Sequence, residues 1–362
     1  MPKKAGVAIQ AEQTMGGDVF ERLLACNMDP GALRPYRRRD GKTVVSLRTK
    51  KLDKDGNPIR KEVVMANANT TLTRYSWEMF DQMVIDIARP ILSVWNDLRS
   101  SASLTLTDGL GTIMLTQQRR GDITPATRSM DGLRQGLADQ PEYDSVSIPM
   151  PITHKDFFFS TRDIAASARG GNSLDTVNLE MATYHVADAV EAATLGTDTA
   201  FEYGGGFLYG YLTFPSRASY TITAPTGGWV PDDLRNQVLG MVKALFDKKK
   251  YGPFDLLYGP DWLIPMGKRY SDDDSRSLIS VLRGDIEKVA SVTLHHKIPG
   301  YKLILRERNG MTARAVIGMD IQVVQWDEMG GMKKNFKVMC ILNPQLRADQ
   351  DDNTGICIGD VA

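Results

Sequence analysis

The sequence is poor in the residues that build disulfide and metal-bound frameworks, with three cysteines and four histidines among 362 residues. Cys26, Cys340 and Cys357 have no close pairing and no metal-ligand spacing, which argues against a disulfide framework or a zinc site and fits a reducing compartment. No stretch approaches the roughly 18 apolar residues of a membrane span, and the N-terminus lacks the apolar core of a signal peptide. We therefore expect a soluble protein that is made in the cytoplasm and has no membrane partner.

Net charge is also absent, because 44 Lys and Arg residues balance 44 Asp and Glu residues. This balance favours neither a protein that coats nucleic acid nor an acidic, solvating one. The charge is unevenly distributed, however: residues 1–69 carry 14 basic and 8 acidic side chains, and the remainder of the chain is correspondingly acidic. A basic N-terminal part on a weakly acidic body is typical of an arm that lies on a partner surface.

Motifs for catalysis or cofactor binding are missing as well. The neighbouring His295 and His296 lack metalloprotease spacing, and adjacent side chains of a strand point to opposite faces, so we interpret them as an ordinary strand segment. The glycines of Tyr203–Phe207 resemble a phosphate loop only in composition, since no Lys-Ser/Thr pair follows them, and we interpret this segment as a flexible connection. No G-x-S-x-G elbow occurs. We expect no catalytic residue, no cofactor and no metal site, and a protein that is not an enzyme.

What the sequence does contain is ordinary globular composition, with 42% hydrophobic and 24% charged residues, enough for one large or two modest cores. Residues 1–40 read as an arm with one short helix around Val19–Leu24. The β-rich runs Lys42–Lys51 and Ile59–Met65 are separated by a turn that contains Asp55 and Gly56, which supplies the positive φ of a tight reversal. These runs predict a protruding β-hairpin.

Two further elements are predicted in the next third of the chain. Apolar residues at helical spacing predict an amphipathic helix over Thr73–Leu98, which Pro90 should kink or divide. A strand at Thr112–Gln117, the long polar stretch Gln118–Ser145 and a return strand at Val146–Phe159 predict an extended two-stranded loop that reaches away from any core.

The second half predicts two long helices followed by strands. One helix covers Leu174–Leu195, with Asn172 or Ser173 as its cap, and its two apolar faces imply burial on two sides. The other opens with Pro231 and the acids that follow it. The remaining elements are a strand at Phe254–Tyr258, helices from Pro260 and at Ser275–Leu282, and strands near Val289–His295, Lys302–Glu307, Ala313–Trp326 and Phe336–Leu342.

Several short stretches, in one order across about residues 70 to 350, carry a resemblance to a known family. They are Leu208–Leu212 after the long helix, Val230–Leu234 at the start of the second one, Tyr251–Leu257, Asp261–Trp262, Val316–Ile321, and Asn343–Gln345 with Gln in place of the family's Glu. Together with the order of elements, they resemble the tailed-bacteriophage major capsid protein of the Hong Kong 97-type fold, in its encapsulin-like branch.

The resemblance implies an α+β coat-protein fold with a peripheral domain, an axial domain, an extended loop and an N-terminal arm. The implied boundaries are 1–69 for the N-terminal arm with its β-hairpin, 70–111 for an N-terminal helix region, 112–155 for the extended loop, 156–212 for the peripheral domain with the spine helix, 213–315 for the axial domain, and 316–362 for the return to the peripheral domain and the C-terminus. Covalent cross-linking through an extended-loop lysine is not expected, because no Lys occurs from Gly111 to His154.

The function implied is that of a major capsid protein, made in the host cytoplasm, which self-assembles into hexamers and pentamers of an icosahedral virion shell around a phage dsDNA genome. Packaged DNA, held non-specifically, and minor capsid, cement, portal or scaffold proteins are the further partners. The alternative is an encapsulin nanocompartment shell protein that encloses cargo enzymes, and the added basic arm and hairpin favour the phage. A third candidate function is that of a soluble enzyme or nucleic-acid-binding module, but this function does not explain the long polar stretch Gln118–Ser145.

Three groups of residues are expected at contacts between subunits. Those of the arm and hairpin are Arg37, Arg38, Arg39, Asp55 and Gly56, and those of the extended loop are Arg119, Arg120, Arg128 and Arg134. The acids Asp272, Asp273 and Asp274 align with the loop that lines the symmetry-axis opening in encapsulins. The alternatives are phosphate contact for the three successive arginines and a solvent-facing acidic loop for the three aspartates.

Overall fold

The computed structural model describes residues 34–52, 58–64, 72, 74–124, 126, 128, 130, 140, 142–170, 176–227, 229–328 and 332–361. The strands are β1 (Tyr36–Arg37), β2 (Thr43–Leu52), β3 (Pro58–Val64), β4 (Ser103–Thr105), β5 (Met114–Arg120), β6 (Tyr143–Pro149), β7 (Thr153–Ser160), β8 (Phe201–Tyr203), β9 (Gly206–Leu208), β10 (Ala218–Ile222), β11 (Phe254–Tyr258), β12 (Val289–Leu294), β13 (Leu303–Glu307), β14 (Ala313–Glu328), β15 (Lys333–Leu346) and β16 (Ile356–Val361). The helices are α1 (Arg74–Ile91), α2 (Ser93–Ser101), α3 (Thr161–Gly170), α4 (Val177–Leu195), α5 (Pro231–Asp247), α6 (Leu263–Gly267), preceded by a 3-10 turn at Pro260–Trp262, and α7 (Leu278–Gly284).

These elements form two sheet-and-helix units. In the four-stranded unit, the sheet order is β4-β14-β15-β7, and α1, α2 and α4 pack on it. In the five-stranded unit, the order is β10-β16-β13-β11-β12, with α5 packed on β10 and β16 and α7 packed on β12. The C-terminal strand β16 is thus an inner strand of the five-stranded sheet, although residues 316–362 were assigned from the sequence to the return and the C-terminus.

The five-stranded sheet is covered on both faces, and its side chains alternate between two hydrophobic cores. Phe254, Leu256 and Leu305 face the core that α5 and α7 complete. Leu257 and Ile304, one residue along in each strand, face the larger core that α1, α2 and α4 share. Since successive residues of a strand point to opposite faces, a continuous apolar run is needed to bury both sides. The larger core therefore runs from the four-stranded unit across the junction into the five-stranded one.

The predicted helix over Thr73–Leu98 is divided, as the proline in it suggested. Pro90 lies in the last turn of α1, and the helical path is interrupted at Leu92, which has ψ of 55°. Trp77 and Phe80 on α1 and Trp95 on α2 are nevertheless buried in the same core. The proline changes the direction of the helix without removing either part from the core.

The predicted return strand at Val146–Phe159 is wrong as a single element. It consists of β6, which pairs with β5, and β7, which pairs with β15 in the four-stranded sheet. Pro149 ends the first strand and Pro151 lies between the two. Because proline cannot donate a ladder hydrogen bond, the chain leaves one sheet there and joins another. A further helix, α3, follows β7 and was not predicted.

The glycine-rich segment Tyr203–Phe207 is a structured turn rather than a flexible connection. Gly204 and Gly205 have φ of 57° and 76° and join β8 to β9 as an antiparallel hairpin. Two successive positive φ angles are what a two-residue hairpin turn of type I′ requires. A Cβ on Gly206 would lie 2.4 Å from the Ser147 carbonyl oxygen, so this hairpin packs closely against β6.

The N-terminal hairpin is present as predicted, with β2 and β3 antiparallel and β1 added at the edge of β2. Its base belongs to the body of the chain, because Tyr36 and Val44 are buried in the larger core and the Arg37 N–H donates to the Leu72 carbonyl at 2.8 Å. This base is therefore held by residues of its own chain. The predicted turn at Asp55 and Gly56 lies outside the described residues.

For the long helix, the described segment begins at Val177, and the proposed caps Asn172 and Ser173 lie outside the described residues. It ends where expected: Leu195 is followed by Gly196, with φ of 76°, whose N–H donates to the Ala192 carbonyl at 2.8 Å. A left-handed glycine is a common helix terminator.

Phe336 should be the aromatic residue on which the four-stranded unit most depends. It is fully buried, stacks on Phe157 at a centroid distance of 5.3 Å and meets Phe159 edge to face at 5.6 Å. We expect Phe336→Ala to lower the free energy of unfolding by about 3 to 5 kcal/mol, because the cavity lies in packed surroundings. Phe158→Ala is the control: its ring is 57% exposed and meets Lys333 at 4.7 Å, so we expect a loss below about 1 kcal/mol. Denaturant titration of both variants measures the difference, and equal losses would contradict the assignment.

Candidate assembly surfaces

The N-terminal hairpin is tied to α1 by polar contacts at its base. Arg34 Nη2 lies 2.6 Å from Asp81 Oδ1, and the Arg34 guanidinium lies 4.7 Å from the centre of the Trp77 ring. Trp77 Nε1 donates to the Pro35 carbonyl at 2.9 Å. These contacts fix the base of the hairpin against α1.

The three successive arginines of the hairpin lie on its exposed side. Arg37, Arg38 and Arg39 are exposed, and Arg38 lies 3.7 Å from the carboxylate of Glu62 on β3. Glu62 also accepts a 2.6 Å hydrogen bond from the Tyr36 hydroxyl; burial, together with this bond, raises the pKa of Tyr36 to about 12. The three arginines are thus exposed in the chain by itself, and their predicted contact with a neighbouring chain stays a prediction.

The extended loop is anchored where it leaves the body. Arg119 and Asp144 face each other across β5 and β6 at 2.5 Å, and the hydrogen bond from Arg119 lowers the pKa of Asp144. Gln117 accepts a 2.7 Å hydrogen bond from Gln345 of β15. Asp122, just beyond the strands, pairs with Lys249 at the end of α5. The base of the loop therefore contacts both units of its own subunit.

Beyond that base, the described residues of the loop are largely exposed. Arg120 and Arg128 are exposed, Ile123 is 56% exposed, and Met130 is as exposed as it would be in an isolated peptide. Arg134 lies outside the described residues. A polar segment with isolated apolar side chains in solvent gains little stability from its own subunit, since it buries little surface there.

The three aspartates lie in the exposed loop between α6 and α7, and the subunit partly neutralises them. Arg276 pairs with Asp274 at 2.7 Å and with Asp285 at 2.9 Å. Its hydrogen bonds lower the pKa of Asp274. Arg269 donates to the main-chain carbonyl of Asp272 at 2.5 Å. The local arginines therefore hold the loop in shape and keep the Asp274 carboxyl ionised.

The long helix α4 buries one of its two apolar faces within the subunit. Leu179 and Val186 are buried, whereas Val177, Met181 and Tyr184 on the other face are 56%, 55% and 47% exposed. The sequence predicted burial on two sides. In the chain by itself the second side is open to solvent. A nearby groove is lined by apolar side chains of α1 (Tyr75, Met79, Met83 and Ile87) and by the polar side chains of Glu78, Gln82, Asp86 and Glu180.

A buried ionic cluster joins the two units, and sequence analysis did not find it. Arg306 on β13 is 1% exposed, and its guanidinium lies 2.9 Å from Asp97 on α2 and 3.3 Å from Asp255 on β11. It also donates to the Tyr211 hydroxyl at 3.1 Å. Asp255 receives a second arginine, Arg308, at 2.5 Å. The cluster holds two cations and two anions.

The titration of the two carboxyls reflects their different partners. Burial would raise the pKa of Asp255, but hydrogen bonds from Arg308 and Ser291 and the charge of Arg306 lower it below its ordinary value. Burial raises the pKa of Asp97, against the opposing charge of Arg306. Asp255 is therefore the firmly ionised partner at the junction, and Asp97 holds its charge less strongly.

Next to this cluster, a glutamate from α4 caps the N-terminus of α2. Glu191 accepts hydrogen bonds from the Val94 and Trp95 N–H groups at 2.7 and 3.1 Å and from the Ser93 hydroxyl at 2.8 Å. A carboxylate at a helix N-terminus satisfies free N–H groups and interacts favourably with the helix dipole. Burial, the largest influence, still raises the pKa of Glu191 above its ordinary value.

The predicted histidine pair lies at this junction too, and the prediction of an ordinary strand segment needs correction. His295 follows the last residue of β12, is 4% exposed and contacts α2 through Ser93, while its neighbour His296 is exposed.

The sequence contained one signal for the buried ionic cluster, because a charged residue inside an apolar strand must have a buried partner. Asp255 in Phe254–Tyr258 and Arg306 in Leu303–Glu307 are such residues.

In the part of the chain that the structure describes, no group of three or more His, Cys, Asp or Glu side chains is arranged to hold a metal ion. Within the same residues, no helix is long and apolar enough to cross a membrane.

Arg306 should contribute far more to stability than a surface arginine. We expect Arg306→Met to lower the free energy of unfolding by about 3 to 5 kcal/mol, because it leaves Asp97 partly buried without its cation. Arg99→Met, which removes an exposed pair with Asp320 at 3.3 Å, should change it by less than about 1 kcal/mol. Denaturant unfolding followed by circular dichroism compares the two, and a small effect at Arg306 would show that the cluster does not hold the junction.

The arrangement of the two units is similar to that of several solved shell structures. The virus-like particle from Pyrococcus furiosus matches with a TM-score of 0.55 at 14% identity, over 80% of this chain and 100% of that chain. The capsid of Myoviridae Phage XM1 matches with a TM-score of 0.57 at 12% identity, over 73% and 90%. A Mycobacterium phage Bobi structure matches with a TM-score of 0.54 at 13% identity, over 75% and 91%. These matches confirm the α+β fold of the Hong Kong 97 type.

Sequence comparison is less informative about function. No curated protein matches the chain. The model of one family, described as a family of unknown function and named DUF6260, matches residues 66–358, which is most of the chain. This span begins shortly before α1 and reaches into β16, so it includes both units and the base of the extended loop. The chain therefore belongs to the DUF6260 family.

Proposed function

We propose that this protein is the subunit of a closed shell, and specifically the major capsid protein of a tailed phage that forms hexamers and pentamers around a dsDNA genome. The observation that carries the proposal is the β5–β6 hairpin, which is anchored at its base and exposed beyond it, on a body with the fold of shell subunits. Such a subunit requires arms that reach neighbours rather than a catalytic pocket, since closed symmetry repeats each contact many times.

In this proposal, each part of the fold has a role in assembly. The five-stranded unit is the axial domain, the four-stranded unit is the peripheral domain with α4 as its spine helix, and residues 112–155 are the extended loop. The exposed arginines at residues 37–39 and the open face of α4 are further surfaces that neighbours would cover. Exposed apolar side chains in a row commonly mark such contacts.

A genome-filled phage capsid is favoured over an encapsulin compartment. The Pyrococcus furiosus particle chain is matched over its whole length, whereas this chain has further residues beyond the match. The basic hairpin adds a surface suited to reinforcing contacts between subunits. The encapsulin-type compartment remains the second candidate, because the match to that virus-like particle is comparable to the match to phage capsids.

Electron microscopy of the purified recombinant protein tests the proposal. Closed shells or sheets of hexamers support a coat subunit, and a stable monomer at all concentrations would refute it. Nuclease-protected DNA or co-purified protein in particles from the native source then distinguishes the phage capsid from the cargo compartment.

The extended loop should be required for assembly and dispensable for folding. Arg120 and Tyr143 are paired across the hairpin, so an Asn-Gly turn can replace residues 121–142 without disturbing the strands. We expect this variant to form no shells, because the contact with the next subunit is lost, while its circular dichroism spectrum and melting temperature stay close to those of the unassembled parent. Sedimentation and electron microscopy measure assembly, and normal particles would contradict the role given to the loop.

The three aspartates should make capsomers sensitive to salt if they lie around a symmetry axis. Five or six copies of the loop would bring like charges together, with Asp272 and Asp273 contributing most because Arg276 neutralises Asp274. We expect replacement of all three by Asn to make capsomers less sensitive to low salt and to chelators. Asp198→Asn with Glu202→Gln and Glu287→Gln, which removes three exposed acids elsewhere, is the matched control. If the triple variant and the control behave alike in light scattering, the loop faces open solvent.

A further inference from the structure

The base of the extended loop borders a cavity of about 280 Å³, which lies between the β5–β6 hairpin, the β8–β9 hairpin and the end of β15. We call it the loop-base cavity, and its walls include the apolar side chains of Ile148, Phe207, Tyr209, Phe214 and Leu346. The three rings form one aromatic wall, because the centre of the Tyr209 ring lies 5.7 Å from that of Phe207 and 6.2 Å from that of Phe214. Pockets for drug-sized molecules begin at about 300 Å³, so a cavity of this volume suits an amino-acid side chain.

The polar side chains on the opposite wall are already engaged within the chain. Gln117 accepts a hydrogen bond from Gln345, and Arg119 pairs with Asp144. The charge in this wall therefore has its partner, and the aromatic wall offers the free contact area. The loop-base cavity fits an apolar guest better than a charged one.

The exposed part of the same loop carries an apolar side chain of suitable chemistry. Met130 is fully exposed, so it does not occupy the cavity of its own chain. The methionine side chain is unbranched and flexible, and its thioether makes favourable contacts with aromatic rings. One chain thus has both a free methionine and an open cavity with an aromatic wall.

The surroundings of the two features are complementary in charge. The turn that follows β15 carries three aspartates in four residues, and it lies at the edge of the cavity, where Ser216 of the wall donates to Asp352 at 2.8 Å. Lys248 donates to the main-chain carbonyl of Asp352 and offsets one of the three negative charges. Arg128, two residues before Met130, is exposed. Opposite charges beside an apolar contact favour one register of docking.

We propose that the loop-base cavity of one copy receives Met130 from the extended loop of a second copy, with Arg128 beside the acidic turn. The cavity lies at the base of the loop and Met130 lies further along it, so the contact joins two different surfaces, and its repetition around an axis closes a ring. One side chain buries far less than the roughly 1,200 Å² of a stable interface, so the contact forms within a closed assembly and not in an isolated pair. The inference rests on the proposed shell and names the surface that receives the loop.

Cross-linking between two variants of the full-length protein tests the contact. Met130→Cys and Ser145→Cys, which places a thiol on the cavity wall, are prepared with different tags in a Cys26→Ser background, because the other two cysteines are buried. The two proteins are mixed, assembled and treated with a short bismaleimide. We expect a product that contains both tags, and no such product when Lys243→Cys, at an exposed position of α5, replaces Ser145→Cys.

Substitutions then measure the contribution of the side chains themselves. We expect Met130→Asp to raise the protein concentration needed for assembly by about tenfold or more, because a buried methionine is lost and a charge cannot enter the cavity. Met130→Leu should assemble like the parent. Arg128→Asp and Asp351→Arg should each weaken assembly, and the two together should restore it in part, because the charges are exchanged across the contact. Light scattering against protein concentration compares these variants.

The outcomes separate this inference from the proposed function. Shells without the mixed cross-link overturn the contact and leave the shell proposal intact, as does a cross-link confined to single chains when one copy carries both new cysteines. A protein that stays monomeric overturns both. If a cysteine variant does not fold, hydrogen peroxide treatment of the parent decides the question: assembly should protect Met130 from sulfoxide formation, and equal oxidation in shells and free subunits would contradict the contact.

Discussion

A β-strand places its side chains alternately on two faces, and in the five-stranded sheet both faces are buried. Apolar residues meet this constraint at most positions of β11, β13 and β16. Asp255 and Arg306 do not, and they lie on the face toward α2, where each needs an opposite charge within a few ångströms. Asp97, Tyr211 and the neighbouring arginine provide the partners. This one cluster therefore determines how the five-stranded unit lies against the helices of the other unit.

The rest of the junction depends on that arrangement. The N-terminus of α2 is brought to α4, where Glu191 takes the place of an N-cap that the local sequence lacks. His295 contacts the same helix end through Ser93, and burial together with the charge of Arg306 lowers the pKa of its ring. Residues distant in the chain thus hold α2 at its N-terminus, through Glu191, and at its middle, through the ion pair of Asp97 with Arg306. Polar contacts of this kind specify one geometry, because an imperfect fit would leave a charge unpaired.

Outside the two cores, the subunit presents segments that its own body does not cover. The hairpin of β2 and β3, the extended β5–β6 loop and the aspartate loop are each attached by polar contacts and have exposed side chains, and one face of α4 is exposed as well. Attachment and exposure together are what a repeated contact between identical subunits requires, since the same segment must meet the same surface at each copy. The fold matches and the exposed segments support one proposal, a shell subunit, from independent observations.

Much of the secondary structure could be predicted because its signals are local. The start of α5 at Pro231, the division of the first helix near Pro90 and the strand at Phe254–Tyr258 each depend on a few neighbouring residues. The exposure of the arginines at residues 37–39 could also be predicted locally, because they form a charged run without alternating apolar residues. The short stretches that resemble the coat-protein family, in their order along the chain, predicted the fold. The solved shell structures confirm that fold.

Only the tertiary structure decided the features in which distant segments of the chain meet. The chain between β6 and β7 changes sheets, β16 enters the five-stranded sheet between β10 and β13, and the glycines of Tyr203–Phe207 form a tight hairpin against β6. The partners of Arg306, Glu191 and His295 lie between 2 and about 200 positions away in the chain. Hydrophobic patterns and turn residues report on a few neighbouring positions. A buried charge, in contrast, pairs with whichever opposite charge lies close to it in space, and this can be far away in the sequence. The sequence by itself determined the elements whose signals are local, such as α1, α5 and β11, and packing determined which of their polar side chains meet.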